Sequence, residues 1–324
     1  MNLISWASLK FEIEMEYINL GQTDLKISRL GFGTWAIGGF GWGKINDADS
    51  IIAIRKAWDL GINFFDTADV YGQGHAEEIL ARALGESRKN VVIATKFGVR
   101  VGPNSKTFKD ISPKYAVEAL EASLRRLKIE CISLYQIHWP DGATSIEETM
   151  MALIKCQEQG KIRHIGYSNF SVDLMERAES VGRGESLQAP YSLIDRSAEK
   201  ELLSACVKFG LTPITYGTLA QGLLAGKINA DVKLDANDVR RRCVGWRKGE
   251  FEKSLAIARS MVEISQNLGK TAAQTAIRWA LDKNEKGAVL VGMTRPDQVE
   301  ENLNALDWHL AKNDLEKLSS LKIC

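Results

Sequence analysis

Short apolar runs alternate along the chain with longer stretches in which apolar residues recur three and four positions apart. The strand-like runs fall at residues 29–33, 63–66, 91–95, 132–138, 162–168, 186–189, 212–216 and 288–291. Helical patterns lie between them, near 47–60, 76–84, 113–127, 145–159, 171–181, 198–209 and a longer region at 251–281, with a further helix near 296–305. Two helix starts are well marked. Ser112-Pro113 offers an N-cap followed by proline in the first turn, and Ser171-Val-Asp does much the same. Ahead of the alternation, residues 17–20 and 26–28 flank Gly21-Gln-Thr-Asp24 and read as a small β-hairpin.

Eight strands, each followed by a helix or a helix-bearing connection, predict a (β/α)8 TIM barrel, which takes about 250 residues plus extras. No Pro/Gly/Ser-rich linker divides the chain, so residues 16–324 read as one barrel domain behind a leader, residues 1–15, to which no role is assigned. An open, doubly wound sheet competes with this reading, because alternation alone does not establish closure. The connection at 217–249 carries no evident strand or helix and follows the seventh strand, on the face where a barrel keeps its site. It reads as a lid, and the plainer reading is a tolerated insertion.

Composition narrows the function classes. The formal net charge of +1 gives no overall field toward nucleic acid or an acidic membrane. Cys131, Cys156, Cys206, Cys243 and Cys324 are scattered without a C-x-x-C pair, which argues against a disulfide framework or a zinc site and for a reduced, cytoplasmic setting. The leader lacks a basic start and is interrupted by Lys10 and Glu12, unlike a signal peptide. No apolar run reaches the roughly 18 residues of a membrane span.

Asp66, Lys96 and His138 each end one of three consecutive strands, so a barrel brings them to one rim, and Tyr71 hangs over them from the second loop. Singly each has a plain explanation: a helix-capping Asp, a solvated Lys, a buried His with its hydrogen bonds satisfied. Together they suit one task. A phenol has a pKa of about 10, and a nearby ammonium favours its ionised form. Lys96 supplies that ammonium, and Asp66 keeps Lys96 charged when it is desolvated. Tyr71 then serves as a general acid, presented by a turn containing Gly72 and Gly74, while His138 donates a hydrogen bond to a carbonyl oxygen. No metal, flavin or redox-cysteine signature is present, so an external hydride carrier completes the set.

At these residues the chain resembles the aldo-keto reductases, from Glu16 onward. The matching stretches are Gly31-Phe-Gly-Thr-Trp, Phe65-Asp-Thr-Ala-Asp-Val-Tyr-Gly, Ala94-Thr-Lys-Phe-Gly, Tyr135-Gln-Ile-His-Trp-Pro-Asp, Gly160-Lys-Ile-Arg-His-Ile-Gly-Tyr-Ser-Asn-Phe and Gln188-Ala-Pro-Tyr-Ser. The resemblance implies a barrel binding NADP(H), less often NAD(H), with Tyr71 as acid/base, Lys96 and Asp66 as its tuning pair and His138 as carbonyl orienter. It implies that Ser168, Asn169 and Gln188 hold the nicotinamide carboxamide and that Tyr216 stacks on its ring. Leu219, Gln221, Gly222 and Lys227 would meet the pyrophosphate. Gly292, Arg295, Gln298 and Asn302 would meet the adenosine end, with Arg295 on a 2′-phosphate.

Gly31-Phe-Gly-Thr-Trp-Ala36 also fits the dinucleotide fingerprint G-x-G-x-x-A, but the glycine-rich residues after it cannot form the required helix. These glycines read instead as a flexible first loop whose Trp35 and Trp42, with Trp139 beside His138, wall the substrate pocket. A small carbonyl, sugar or polyol is the implied substrate. Two competitors share parts of this pattern. One is a nicotinamide-binding regulatory subunit like the potassium-channel β-subunits; the other is a sugar-phosphate barrel using Lys96 as a Schiff base.

Overall fold

Strands β1 (Leu30–Gly33), β2 (Phe64–Asp66), β3 (Val92–Phe97), β4 (Ile132–Ile137), β5 (Ile162–Ser168), β6 (Ser186–Pro190), β7 (Thr212–Tyr216) and β8 (Ala288–Gly292) pair in sequence order. Strand β8 then pairs in parallel with β1, Val289 against Leu30 and Gly292 against Gly33, which closes the barrel. Closure excludes the open doubly wound sheet. The computed structural model describes residues 14–103 and 106–321. Most of the leader and Cys324 therefore lie outside the described residues. Cys131, Cys156, Cys206 and Cys243 are free thiols.

The connections carry helices α1 (Asp47–Asp59), α2 (His75–Leu84), α3 (Pro113–Leu127), α4 (Ile146–Glu158), α5 (Val172–Glu179), α6 (Leu202–Phe209), α7 (Phe251–Asn267), α8 (Ala272–Lys283) and α9 (Pro296–Leu303), and α10 (Lys312–Ser320) follows. The marked starts hold: Ser112 Oγ accepts from the Tyr115 amide and Ser171 Oγ from the Leu174 amide. The region 251–281 is two helices rather than one. Gly269 turns the chain at φ +64°, and Thr271 with Gln274 then builds a capping box that starts α8. Helix α10 and a hairpin pairing Val99–Val101 with Thr107–Lys109 had no counterpart in the sequence reading. Among the described residues no helix is long and apolar enough to cross a membrane.

Because side chains alternate along a strand, one set faces the barrel axis and the other packs against the helices. Phe64, Val92, Ala94, Leu134, Ile214, Ala288 and Leu290 fill the interior, and Leu20 and Ile27 of the N-terminal hairpin join them. That hairpin pairs Tyr17–Asn19 with Lys26–Ser28 and closes the lower end. Two interior positions are glycine because their neighbours occupy the space. A Cβ at Gly31 would lie 2.7 Å from both Leu290 Cδ2 and Phe64 Cδ1, and one at Gly166 would meet Ser186 Oγ at 2.5 Å. The interior is thus a packed core, and only its C-terminal rim is free for chemistry.

The connection 217–249 is not structureless. It holds short 3-10 turns at Ala220–Ala225 and Val239–Arg242, and the Val239 amide donates to the Gly41 carbonyl at 3.1 Å, which ties it to the first βα loop. It therefore reaches the first βα loop at the C-terminal rim. A Gly31→Ala substitution overpacks the interior and should cost about 1–3 kcal/mol. Thermal unfolding followed by circular dichroism checks this, and an unchanged midpoint would show that Phe64 and Leu290 can move aside.

Candidate active site

The register β2–β3 sets Asp66 opposite Ala94, and β3–β4 sets Lys96 opposite Gln136. Asp66, Lys96 and Gln136 therefore point inward in the same top layer of the barrel. Lys96 is fully buried, not solvated as the plain reading had it. Its Nζ donates to Asp66 Oδ1 at 2.6 Å, to the Thr67 carbonyl at 2.8 Å and to the Tyr71 hydroxyl at 3.3 Å. The second carboxylate oxygen accepts from Gln188 Nε2 at 2.8 Å and Gln136 Nε2 at 3.3 Å. A buried ion pair persists when its remaining hydrogen-bonding sites are filled, and here two amides fill them. Gln136 was missed in the sequence. Its only signal is that it stands two residues before His138, on the same strand face.

Tyr71 begins a 3-10 turn in which Gly72, Gln73 and Gly74 all take positive φ, at 60°, 54° and 98°. The first βα loop fixes this turn from outside. A Cβ at Gly38 would lie 2.7 Å from both the Gly72 nitrogen and the Tyr71 carbonyl carbon, so only glycine permits the contact. At Gly38 the loop is therefore a tight backbone seat for Tyr71, in contrast to the flexible segment expected. Trp35 and Trp42 meet edge to face at 4.9 Å between centroids, and Trp35 lies 6.4 Å from the Tyr71 ring. Trp139 stands at the rim, with the Lys109 ammonium 4.8 Å above its ring.

The His138 ring sits edge to face with Tyr71 at 5.8 Å, and its buried Nδ1 has no partner. Behind it, Asn169 takes a left-handed φ of 59° and donates to the His138 carbonyl at 2.9 Å and to Ser168 Oγ at 3.0 Å. Tyr216 donates to Asn169 Oδ1 at 2.8 Å. Both ends of the Asn169 amide are thus engaged in holding Ser168, Tyr216 and the His138 backbone together.

Electrostatics here follow burial. Desolvation, then the Asp66 and Asp69 carboxylates, hold the Tyr71 phenol well above its usual range. The net direction is upward even with the Lys96 ammonium 3.3 Å from the hydroxyl. Desolvation, then the Lys96 charge, push His138 well below the usual imidazole range. Lys96 itself is lowered by burial, against the opposing pull of Asp66. Asp69 is pushed up to about 7, first by burial, while the Tyr115 hydroxyl bonded to it at 2.8 Å acts in the other direction. Both shifts favour the neutral forms of Tyr71 and His138 near neutral pH.

The remaining candidates gather where β7 and β8 end. Leu219 leads into a turn where Ala220, Gln221 and Gly222 take φ of 45°, 52° and 93°. Strained backbone of this kind clusters at ligand sites. Lys227 is exposed, 4.0 Å from Glu301. Gly292 ends β8, and Arg295 stands at the N-cap position of α9 without a side-chain cap of its own. Gln298 Oε1 accepts from the Thr294 and Arg295 amides at 2.8 and 3.1 Å, so this side chain shapes the helix start. Arg295 is exposed and forks onto Asp297 at 2.9 and 3.1 Å, while Asn302 is buried. A helix N-terminus, a strained turn and a basic side chain beyond the last two strands suit the phosphates of a dinucleotide.

Comparison with known proteins agrees with this geometry. Residues 29–323 match the Aldo/keto reductase family. The chain is 35% identical over 310 residues to the Aldo-keto reductase YhdN of Bacillus subtilis (strain 168), covering 95% of this chain and 93% of that protein. It is 35% identical over 316 residues to the NADH-specific methylglyoxal reductase of Escherichia coli (strain K12), covering 93% and 96% respectively. The structure of the glycerol dehydrogenase AKR11B4 from Gluconobacter oxydans superposes with a TM-score of 0.85 at 38% identity, over 94% of each chain. A closed eight-stranded barrel, the buried residues at its rim and matches along nearly the whole sequence lead to one conclusion: the chain belongs to the Aldo/keto reductase family.

Proposed function

We propose that this chain, by family an oxidoreductase of carbonyl compounds that uses a nicotinamide cofactor, reduces an aldehyde or ketone with hydride from NADP(H) and Tyr71 as general acid. The observation that carries the reading is the buried chain Asp66–Lys96–Tyr71 set edge-on to His138. Bound NADP(H) supplies the hydride. Tyr71 and a neutral His138 each offer a hydrogen bond to the carbonyl oxygen, where negative charge develops. Tyr71 then releases its proton to that oxygen, and Lys96, 3.3 Å away, stabilises the phenolate. Asp66, with the two amides on its other oxygen, keeps Lys96 in place and charged.

Gln188, with its Nε2 on Asp66, has its carbonyl oxygen left to accept from the nicotinamide carboxamide, alongside Ser168. Asn169 acts by fixing Ser168 and Tyr216, whose ring would stack on the nicotinamide. The turn at 219–222 with Lys227 receives the pyrophosphate, and Gly292, Arg295, Gln298 and Asn302 frame the adenosine end. Trp35 and Trp42 wall the pocket, with Trp139 at its rim. The names of two relatives, a methylglyoxal reductase and a glycerol dehydrogenase, support a small carbonyl or polyol as substrate.

A Tyr71→Phe variant should lose about 100-fold or more in kcat for a reactive aldehyde, the usual range for a lost general acid, while its affinity for NADPH stays near that of the wild type. Wild-type turnover in this variant sinks the mechanism. Arg295→Ala should weaken NADPH far more than NADH in a fluorescence titration. Equal losses would refute the 2′-phosphate assignment. Asp69, protonated up to about pH 7 when folded, titrates near 3.9 in the unfolded chain. Over that window the folded state holds the extra proton, so this group's contribution to stability falls as pH rises from about 4 to about 7. Asp69→Asn should therefore gain stability over the wild type at pH 8 relative to pH 4, measured by denaturant unfolding. A difference that stays constant with pH contradicts this.

A further inference from the structure

The turn at 220–222 is the most strained stretch near the proposed cofactor site, since Ala220 and Gln221 carry a Cβ and yet sit at φ 45° and 52°. Left alone, such residues return to negative φ. The turn's own bonds, from the Ala220 amide to the Gly217 carbonyl at 2.7 Å and from the Gly222 amide to the Leu219 carbonyl at 2.9 Å, are joined by one from outside it. The Ala220 carbonyl accepts a hydrogen bond at 2.8 Å from the indole N–H of Trp246, which comes from the far end of the same connection. Both partners are buried.

Trp246 is itself held on every side. Its ring lies 5.5 Å from that of Phe251, and the Arg240 guanidinium sits 5.1 Å over its face. Arg240 in turn forks onto Asp238, at 2.7 Å for its shortest contact. The preceding Gly245 has φ +87°, and a Cβ there would stand 2.9 Å from Ile194 Cγ2, so the approach to Trp246 is also fixed. The indole N–H is therefore positioned by contacts that lie outside the 220–222 turn.

We propose that Trp246 is a positioning residue for the cofactor: its indole N–H holds Ala220 so that the 220–222 turn is already in the form that receives the pyrophosphate. The inference rests on reading 219–227 as the pyrophosphate segment. Ordering this turn before binding removes a cost that the nucleotide would otherwise meet, and so raises affinity without touching the hydride step. The preorganised part is common to both nucleotides, so NADPH and NADH lose equally when it is removed.

Trp246→Phe keeps an aromatic ring in the same packing and deletes only the donor. By calorimetry its Kd should rise about threefold to tenfold for NADPH and NADH alike, the net value of one hydrogen bond. The loss should appear in the nucleotide Kd and KM and not in kcat. Amide exchange in residues 219–226 of the nucleotide-free protein should quicken. Adding Ala220→Gly to this variant lets residue 220 adopt positive φ without the prop, and should recover part of the affinity. An unchanged Kd in Trp246→Phe overturns the proposal, as does a loss that Ala220→Gly fails to reduce. Wild-type protein that binds neither nucleotide would instead overturn the cofactor reading on which the proposal stands.

Discussion

A lysine ammonium with no solvent access keeps its charge only if the protein supplies the counter-charge, and Asp66 supplies it to Lys96 at 2.6 Å. Everything at the rim depends on this pair. Desolvating two charges is costly, and the structure offsets the cost by filling the remaining carboxylate oxygen with Gln136 from β4 and Gln188 from β6. Strand β6 lies on the far side of the barrel from β2, so Gln188 reaches Asp66 across the axis. An open sheet could not make that contact. Closure of the barrel is thus a condition for the charge state of Lys96 as well as for the shape of the fold.

The same burial sets the chemistry of the neighbours. Burial raises the cost of ionising Tyr71 and of protonating His138, which favours the neutral form of both rings where they meet edge to face. A neutral phenol is the form needed to deliver a proton during reduction. An ammonium 3.3 Å from a phenol oxygen stabilises its ionised form far more than its neutral one, so under the proposed mechanism Lys96 would act when the phenolate forms.

What the sequence disclosed follows from which signals are local. Asp66, Lys96 and His138 were legible because strand ends are read from neighbouring residues and a barrel brings consecutive ends together. Gln136 was not, because an uncharged amide inside a strand gains meaning only when Asp66 is seen opposite. Gly38 looked like flexibility; its contact with Tyr71 joins loops that are far apart in sequence. The break at Gly269–Thr271 could have been found, since a glycine followed by a Thr and a Gln three residues later is a stop-and-start signal within an otherwise helical region. Trp246 carried no signal, as nothing near it in sequence points to Ala220.

Two turns at the rim share a construction. Gly72, Gln73 and Gly74 form one, Ala220, Gln221 and Gly222 the other, and each strings together positive φ values where most residues resist them. Each is braced from a distant part of the chain, the first by the Gly38 backbone and the second by the Trp246 indole. The braces meet, because the Val239 amide binds the Gly41 carbonyl and so joins the first loop to the long connection. The two turns thus stand on the same rim, at the ends of β2 and β7, each with its own brace.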